Sequence, residues 1–375
     1  MKKYLILSQA LFSLFILYSC QQPKSVSLVP GYDKTELISL LPVIERTYDS
    51  TDLGNFKTPA PVHYTMKYRS PESPLKNRFD IWQSDDGKGL ISIRGTILDP
   101  AGMSFAAAFY TLMVPASGTV KISDSNTFEY KLAEIQGAGV HLGLLLGLGC
   151  MATDILSQID LLYQDGIRDF YILGHSQGSG LANLATSYLL YLQKDGKLPS
   201  DIRFKTYCVA NMKSGNLWYA YDYENLTSGG RAFSIQNVVD WVPTVPPTVQ
   251  NSTDEPPLSP YTDIHAFFIM SHYPPGPKFD AGFEQYSKLI PGTVEFLLNV
   301  VREIVSPKIH EALPQFVEPE TMKSYDFVRM GITIPLIPDS SYFAKFPVNP
   351  EPFNVWENHS IYPYYCLLTS GQSGH

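Results

Sequence analysis

Charge is scarce in this chain. Only 17% of its 375 residues are Asp, Glu, Lys or Arg, and acids outnumber bases 36 to 28, for a formal net charge of −8. That balance gives nucleic acid no electrostatic footing as a partner. Cysteine is scarcer still, with four residues in all. Beyond Cys20 there remain Cys150, Cys208 and Cys366. An odd number cannot close a complete disulfide framework, and no C-x-x-C spacing offers a zinc site. These three read as buried apolar cysteines, with one disulfide open to them in an oxidising compartment. Apolar and aromatic residues, by contrast, are abundant at 44% and 13%. Such a chain is not disordered, and it has material for one large core or a core with a sizeable insertion. Its 29 prolines and 24 tyrosines are an unusual surplus, and many of the prolines fall between 242 and 352.

The N-terminus reads as a targeting segment. Lys2 and Lys3 precede a mostly apolar run from Tyr4 to Tyr18, and polar "QQPKS" follows. The run is short for a membrane span and suits an export signal. Its end, Leu17-Tyr18-Ser19-Cys20, resembles the lipobox of bacterial lipoproteins. That resemblance implies a signal peptide over 1–19 and a lipidated Cys20. The product would be an exported, membrane-anchored lipoprotein of the periplasm or cell surface, tethered to the membrane rather than crossing it. An ordinary secretory signal with a chance cysteine is the alternative. Residues 20–55 then form a tether and lead-in, flexible to about residue 35, ahead of one domain over 56–375.

Along that domain, 61–69, 78–84 and 90–96 have strand character, and "DDGKG" joins the last two as a hairpin. "MSFAAAFYTLM" suits a short helix. From about 151, Met151, Ile155, Ile159 and Leu162 recur at helical spacing. "FYILG" (170–174) is a short apolar run of the buried-strand kind, and a helical pattern runs from Gln177 to Leu192. Further strands fall at 203–211 and 231–240. Strands alternating with helices predict a largely parallel sheet with helices on its faces.

Between the buried strand at 170–174 and the following helix lies Gly174-His175-Ser176-Gln177-Gly178. Alone, Gly-x-Ser-x-Gly is a weak signal, with ~0.1 match expected by chance in a chain this long. A strand–turn–helix setting is what a nucleophile elbow requires, and it places Ser176 at the top of the sheet. The helix start beneath it aims unpaired N–H groups at developing negative charge. A phosphate-binding loop would need the lysine or the glycine spacing that is missing here.

The stretch from "VHLG" (140–143) through "GHSQG" resembles the class 3 lipases, members of the α/β-hydrolase fold. "RGT" (94–96), "KSGN" (213–216) and "NVVDWVPTVPP" (237–247) extend the likeness. Gln177 stands where leucine is commoner in that family, and Ser179 where glycine or alanine is. The resemblance implies a mostly parallel central sheet flanked by helices and a Ser–His–Asp triad that cleaves esters without metal or organic cofactor. Asp240, after a strand, is the implied acid. The base follows it in chain order, with His265, His272, His310, His359 and His375 available. His359 in "WENHSIYPYY" matches the family's last motif, 119 residues beyond Asp240, and His272 in "IMSHYPPG" competes with it. The oxyanion donors would be the backbone N–H of Gln177 and Thr96 of "RGT". His175 is implied to pack the elbow, and Arg94 to form a structural ion pair. A cap-like insertion over about 248–345 precedes His359. In it Val294, Leu297, Leu298, Val301, Ile304 and Val305 share a helical face, which suits either a helix packed on the body or a cap over the site. The expected partner is a lipid or small ester. The same residues would also serve a thioesterase or acyltransferase, or remain on a silent binding scaffold.

Overall fold

The computed structural model describes residues 28–49, 56–251, 254–255, 276–347 and 354–370. Cys20, His265, His272 and His375 lie outside them. In chain order the elements begin with α1 (Lys34–Arg46), β1 (Tyr64–Arg69), β2 (Phe79–Ser84), β3 (Gly89–Ile93) and α2 (Met103–Phe109). Two small antiparallel pairs follow, made of β4 (Met113–Pro115), β5 (Ser117–Lys121), β6 (Thr127–Lys131) and β7 (Gly139–His141). Next come α3 (Leu142–Gln164), β8 (Asp169–His175), α4 (Gln177–Lys194), β9 (Arg203–Val209), α5 (Leu217–Leu226) and β10 (Ala232–Asn237). The remainder comprises α6 (Pro277–Val300), a π-helical turn (Val301–Val305), α7 (Ser306–Ala312), β11 (Ile332–Leu336), α8 (Ser340–Lys345) and α9 (Ile361–Thr369).

Seven strands form the central sheet in the order β1-β2-β3-β8-β9-β10-β11. β1 and β2 meet their neighbours antiparallel, and every pair from β3 to β11 is parallel. β8 lies at the centre and is buried along its whole length. Alternation of side chains divides it between two cores. Phe170 and Ile172 join the core under α3 and α4, whereas Tyr171 and Leu173 join the core under α1 and α9. The parallel sheet with helices on its faces is what the strand and helix pattern predicts, and the fold is the α/β-hydrolase fold that the resemblance implies.

Three boundaries differ from expectation. The 20–55 lead-in contains α1, capped by Asp33, which accepts from the Thr35 and Glu36 N–H groups. Its Leu37, Leu40, Leu41 and Ile44 are wholly buried. Burying each such side chain stabilises by about 1.5–3 kcal/mol, so this segment belongs to the body. Glu36 at its start accepts from the hydroxyls of Tyr171 and Tyr207 at 2.5 and 2.6 Å. α3 begins at Leu142, nine residues before its periodic pattern, because residues 142–149 are buried all round and show no polar face. The 248–345 insertion is also shorter than expected. It returns to the sheet as β11, whose Phe233↔Ile332 to Asn237↔Leu336 register against β10 is parallel.

Candidate active site

Ser176 follows β8 directly, at φ 58° and ψ −130°, a backbone region that a non-glycine residue rarely occupies. Neighbouring glycines make the turn sterically feasible. A Cβ at Gly174 would fall on the Gly178 carbonyl, and one at Gly178 on the Ile93 carbonyl. The turn lifts Ser176 above the sheet at the N-terminus of α4.

Around the serine the structure brings together residues from three separate stretches. The Ser176 hydroxyl lies 2.9 Å from His359 Nε2. His359 Nδ1 lies 2.9 Å from Asp240 Oδ2. A carboxylate only accepts, so Nδ1 carries the proton and Nε2 presents its lone pair to the serine hydroxyl. Asp240 stands three residues beyond β10, and its Oδ1 accepts from the Val242 N–H at 3.0 Å. The 119-position separation of acid and base takes in α6, α7, β11 and α8, and the chain still returns to β10. There Asn237 Nδ2 donates to the Asn358 carbonyl at 3.1 Å, and the Tyr342 hydroxyl to Asn358 Oδ1 at 2.7 Å. These bonds fix the turn that carries His359.

Several participants carry no motif of their own. The wholly buried Tyr364 donates to Asp240 Oδ2 at 2.7 Å. Burial, together with the Asp240 charge, pushes its hydroxyl well above the usual tyrosine range, so it remains a donor. The Tyr48 hydroxyl accepts from the Gly95 N–H at 3.1 Å and lies 3.1 Å from His175 Nδ1. His175 Nε2 donates to the His359 carbonyl at 2.8 Å. Burial, and secondarily the neighbouring His359, depresses His175 to a pKa of about 3, so it is neutral. No sequence pattern singled out Tyr364, and Tyr48 lies in the lead-in, which gave no signal.

The remaining predicted residues sit as follows. Thr96 and Gln177 both line the cavity at Ser176. The Thr96 hydroxyl donates weakly to Gln177 Oε1 at 3.4 Å, and Gln177 Nε2 is buried without a hydrogen-bond partner. Arg94 is fully buried, and its Nη2 donates to Glu72 Oε1 at 2.5 Å, the structural ion pair expected. His141 caps α3, accepting from the Leu144 N–H at 3.3 Å and donating to the Ala108 carbonyl at 3.1 Å. Burial lowers its pKa to about 4, which keeps it neutral. His310 packs against Phe316, away from the serine. Cys150, Cys208 and Cys366 are free thiols, of which Cys208 is buried.

Two cavities meet at Ser176. One, of about 240 Å³, is walled by apolar side chains that include Phe105, Met212, Val245, Leu297 and Ile304. The π-helical turn after α6 forms part of its roof. The other, of about 280 Å³, is lined by His359, Lys57, Asn354 and Glu357 as well as Ile97 and Leu98. Among the described residues no cluster of His, Cys, Asp and Glu could hold a metal ion.

Residues 90–250, less than half of the chain, match the family model described as Lipase (class 3). No curated protein matches. Among solved structures, a fungal lipase–inhibitor complex is similar over 57% of this chain and 74% of its own, at 19% identity and a TM-score of 0.44. A Rhizomucor miehei triacylglyceride lipase matches over 58% and 77%, at 18% identity and 0.42. A lipase from Rhizopus microsporus var. chinensis matches over 61% and 76%, at 20% and 0.39. The segment that holds Ser176 and Asp240 thus matches the class 3 lipase model, lies on an α/β-hydrolase fold and brings the machinery of a carboxylic ester hydrolase.

Proposed function

We propose that the protein hydrolyses carboxylic esters, glycerolipids foremost, through an acyl-enzyme on Ser176. The observation that carries this reading is the unbroken chain from Ser176 Oγ through His359 to Asp240, with both links at 2.9 Å. His359 Nε2 takes the serine proton as Oγ attacks the ester carbonyl, and Asp240 stabilises the imidazolium that forms. The Gln177 backbone N–H, at the positive end of α4, and Thr96 receive the developing oxyanion. His359 then protonates the departing alkoxide, and water, activated by the same nitrogen, releases the acid.

The two cavities supply a substrate orientation. The leaving oxygen must meet His359 Nε2, so the alcohol occupies the cavity lined by His359. The acyl chain then takes the apolar cavity, which His359 does not line. A fluorophosphonate, which traps serine as a tetrahedral phosphorus adduct, is the direct test. It should label native protein on the peptide holding Gly174 to Gly178, and not the Ser176→Ala variant. Native protein that takes no label and turns over no short ester would remove the reading.

The reading extends to an exported lipoprotein anchored through Cys20, supported by the basic start, the apolar run and the Leu-Tyr-Ser-Cys ending. Intact mass of detergent-extracted protein should give the chain from residue 20 plus lipid, and Cys20→Ala should release it from the membrane. An unmodified soluble mature chain would remove this part alone.

A further inference from the structure

A third cavity, of about 360 Å³, opens at the carboxyl end of β10 and beside Thr333 and Pro335 of the edge strand β11. It borders Asp240 but neither Ser176 nor His359. Lys213, from the loop after β9, and Arg329, from the loop before β11, both line it, with Gln236, Thr244 and Thr333. The carboxyl ends of parallel strands are where such sheets collect ligands.

The two cations share this cavity, and neither is in direct contact with an acid. Among the described residues no carboxylate lies within ion-pair distance of Lys213 or Arg329. Lys213 Nζ spends one donor on Thr248 Oγ1 at 2.7 Å and keeps two. Arg329 Nη1 donates to Oε1 of the buried Gln236 at 3.1 Å, which aims the guanidinium and leaves its other donors free. Burial, and next the Arg329 charge, lowers the pKa of Lys213; Asp326 opposes this from a distance. Asp326 is itself raised to about 6, chiefly by burial, so near neutrality it is mostly ionised and offsets part of the Lys213 charge from beyond ion-pair distance. Asp240 also borders the cavity, but three donors already hold its carboxylate: His359, Tyr364 and the Val242 N–H. Two like charges gathered beside polar donors, with no anion in direct contact, favour the arrival of one. A planar fork beside a compact ammonium matches an oxyanion with several acceptor oxygens.

We propose that Lys213 and Arg329 form a binding site for a phosphate-class oxyanion, separate from the ester-cleaving centre. Free phosphate and the phosphate of a phosphorylated headgroup share this chemistry. Calorimetric titration of the full-length Ser176→Ala protein with inorganic phosphate, and separately with glycerol 3-phosphate, tests it. Saturable binding is expected, with affinity falling about tenfold or more in Lys213→Gln and in Arg329→Gln. Arg329→Lys should lose less than Arg329→Gln. Tighter binding of glycerol 3-phosphate assigns the site to a headgroup; equal or tighter binding of inorganic phosphate assigns it to the free ion. In the Ser176 background, both Gln variants should turn over a short ester at the parent rate in phosphate-free buffer, which shows that they fold. No saturation by either probe up to about 20 mM, or unchanged affinity in correctly folded variants, overturns the proposal.

Discussion

His175 and His359 are both buried, with ring centres 4.7 Å apart, yet their surroundings give them opposite capacities. His175 is closed on both sides, by the Tyr48 hydroxyl at Nδ1 and the His359 carbonyl at Nε2. It has no free nitrogen, and burial holds it neutral to a pKa of about 3. His359 has a carboxylate at one nitrogen and a hydroxyl at the other. A proton arriving at Nε2 is met at once by a negative charge across the ring. Proximity to the serine in sequence is therefore no guide to which histidine can act as base; what each second nitrogen meets decides it.

Exchanging the partners is the way to break this contrast. The largest effect is expected from His359→Ala, which should lower kcat by about 10⁴-fold or more in short-ester assays, because serine at its own pKa is a poor nucleophile. A variant retaining a tenth of native turnover would move the base elsewhere. Tyr364→Phe sharpens the contrast from the acid side. It removes one donor from Asp240 and leaves the carboxylate less well held, so kcat should fall about tenfold with KM little changed. Unchanged kcat would make Tyr364 a packing residue only.

His175 should affect stability more than turnover. Its folded pKa of about 3 lies below the ordinary 6.5. The unfolded chain therefore binds the extra proton first, and the stability tied to neutral His175 is complete above about 6.5 and is lost as pH falls toward 3. His141, lowered to about 4, adds a second loss in the same window. Urea midpoints should drop between pH 7 and pH 4.5. His175→Asn should lower the pH 7 midpoint and flatten the drop, retaining the part due to His141. An undiminished slope in that variant would place the pH response outside this ring.

Legibility in the sequence followed the reach of each signal. The elbow could be read because strand, glycines and helix lie within a few residues, and the hairpin because "DDGKG" marks its turn. Asp240 and His359 could be paired only through the family resemblance, since nothing local spans 119 residues. The start of α3 could not be read, because a helix buried on every side has no periodic face. α1 is a different failure. Asp33 followed by Leu37, Leu40, Leu41 and Ile44 is a legible capped helix, and the adjoining export signal drew it into a tether and lead-in ahead of the domain. Tyr48 and Tyr364 act through single hydroxyls, which leave no spacing to detect.

The anchorage of the chain's first described residues has a directional consequence. The Leu28 N–H donates to Asp169 at the start of β8, the Val29 carbonyl accepts from Lys205 Nζ, and the Gly31 N–H donates to the Gly230 carbonyl just before β10. All three lie at the amino ends of the strands, while Ser176 lies beyond the carboxyl end, roughly 20 Å away along β8. The eight steps from residue 20 to residue 28 reach at most about 28 Å. A molecule held by lipid at Cys20 would thus be moored at the pole opposite its mouth, on a leash longer than the distance between the two. Its mouth could swing to esters of its own bilayer as well as to those arriving from solution.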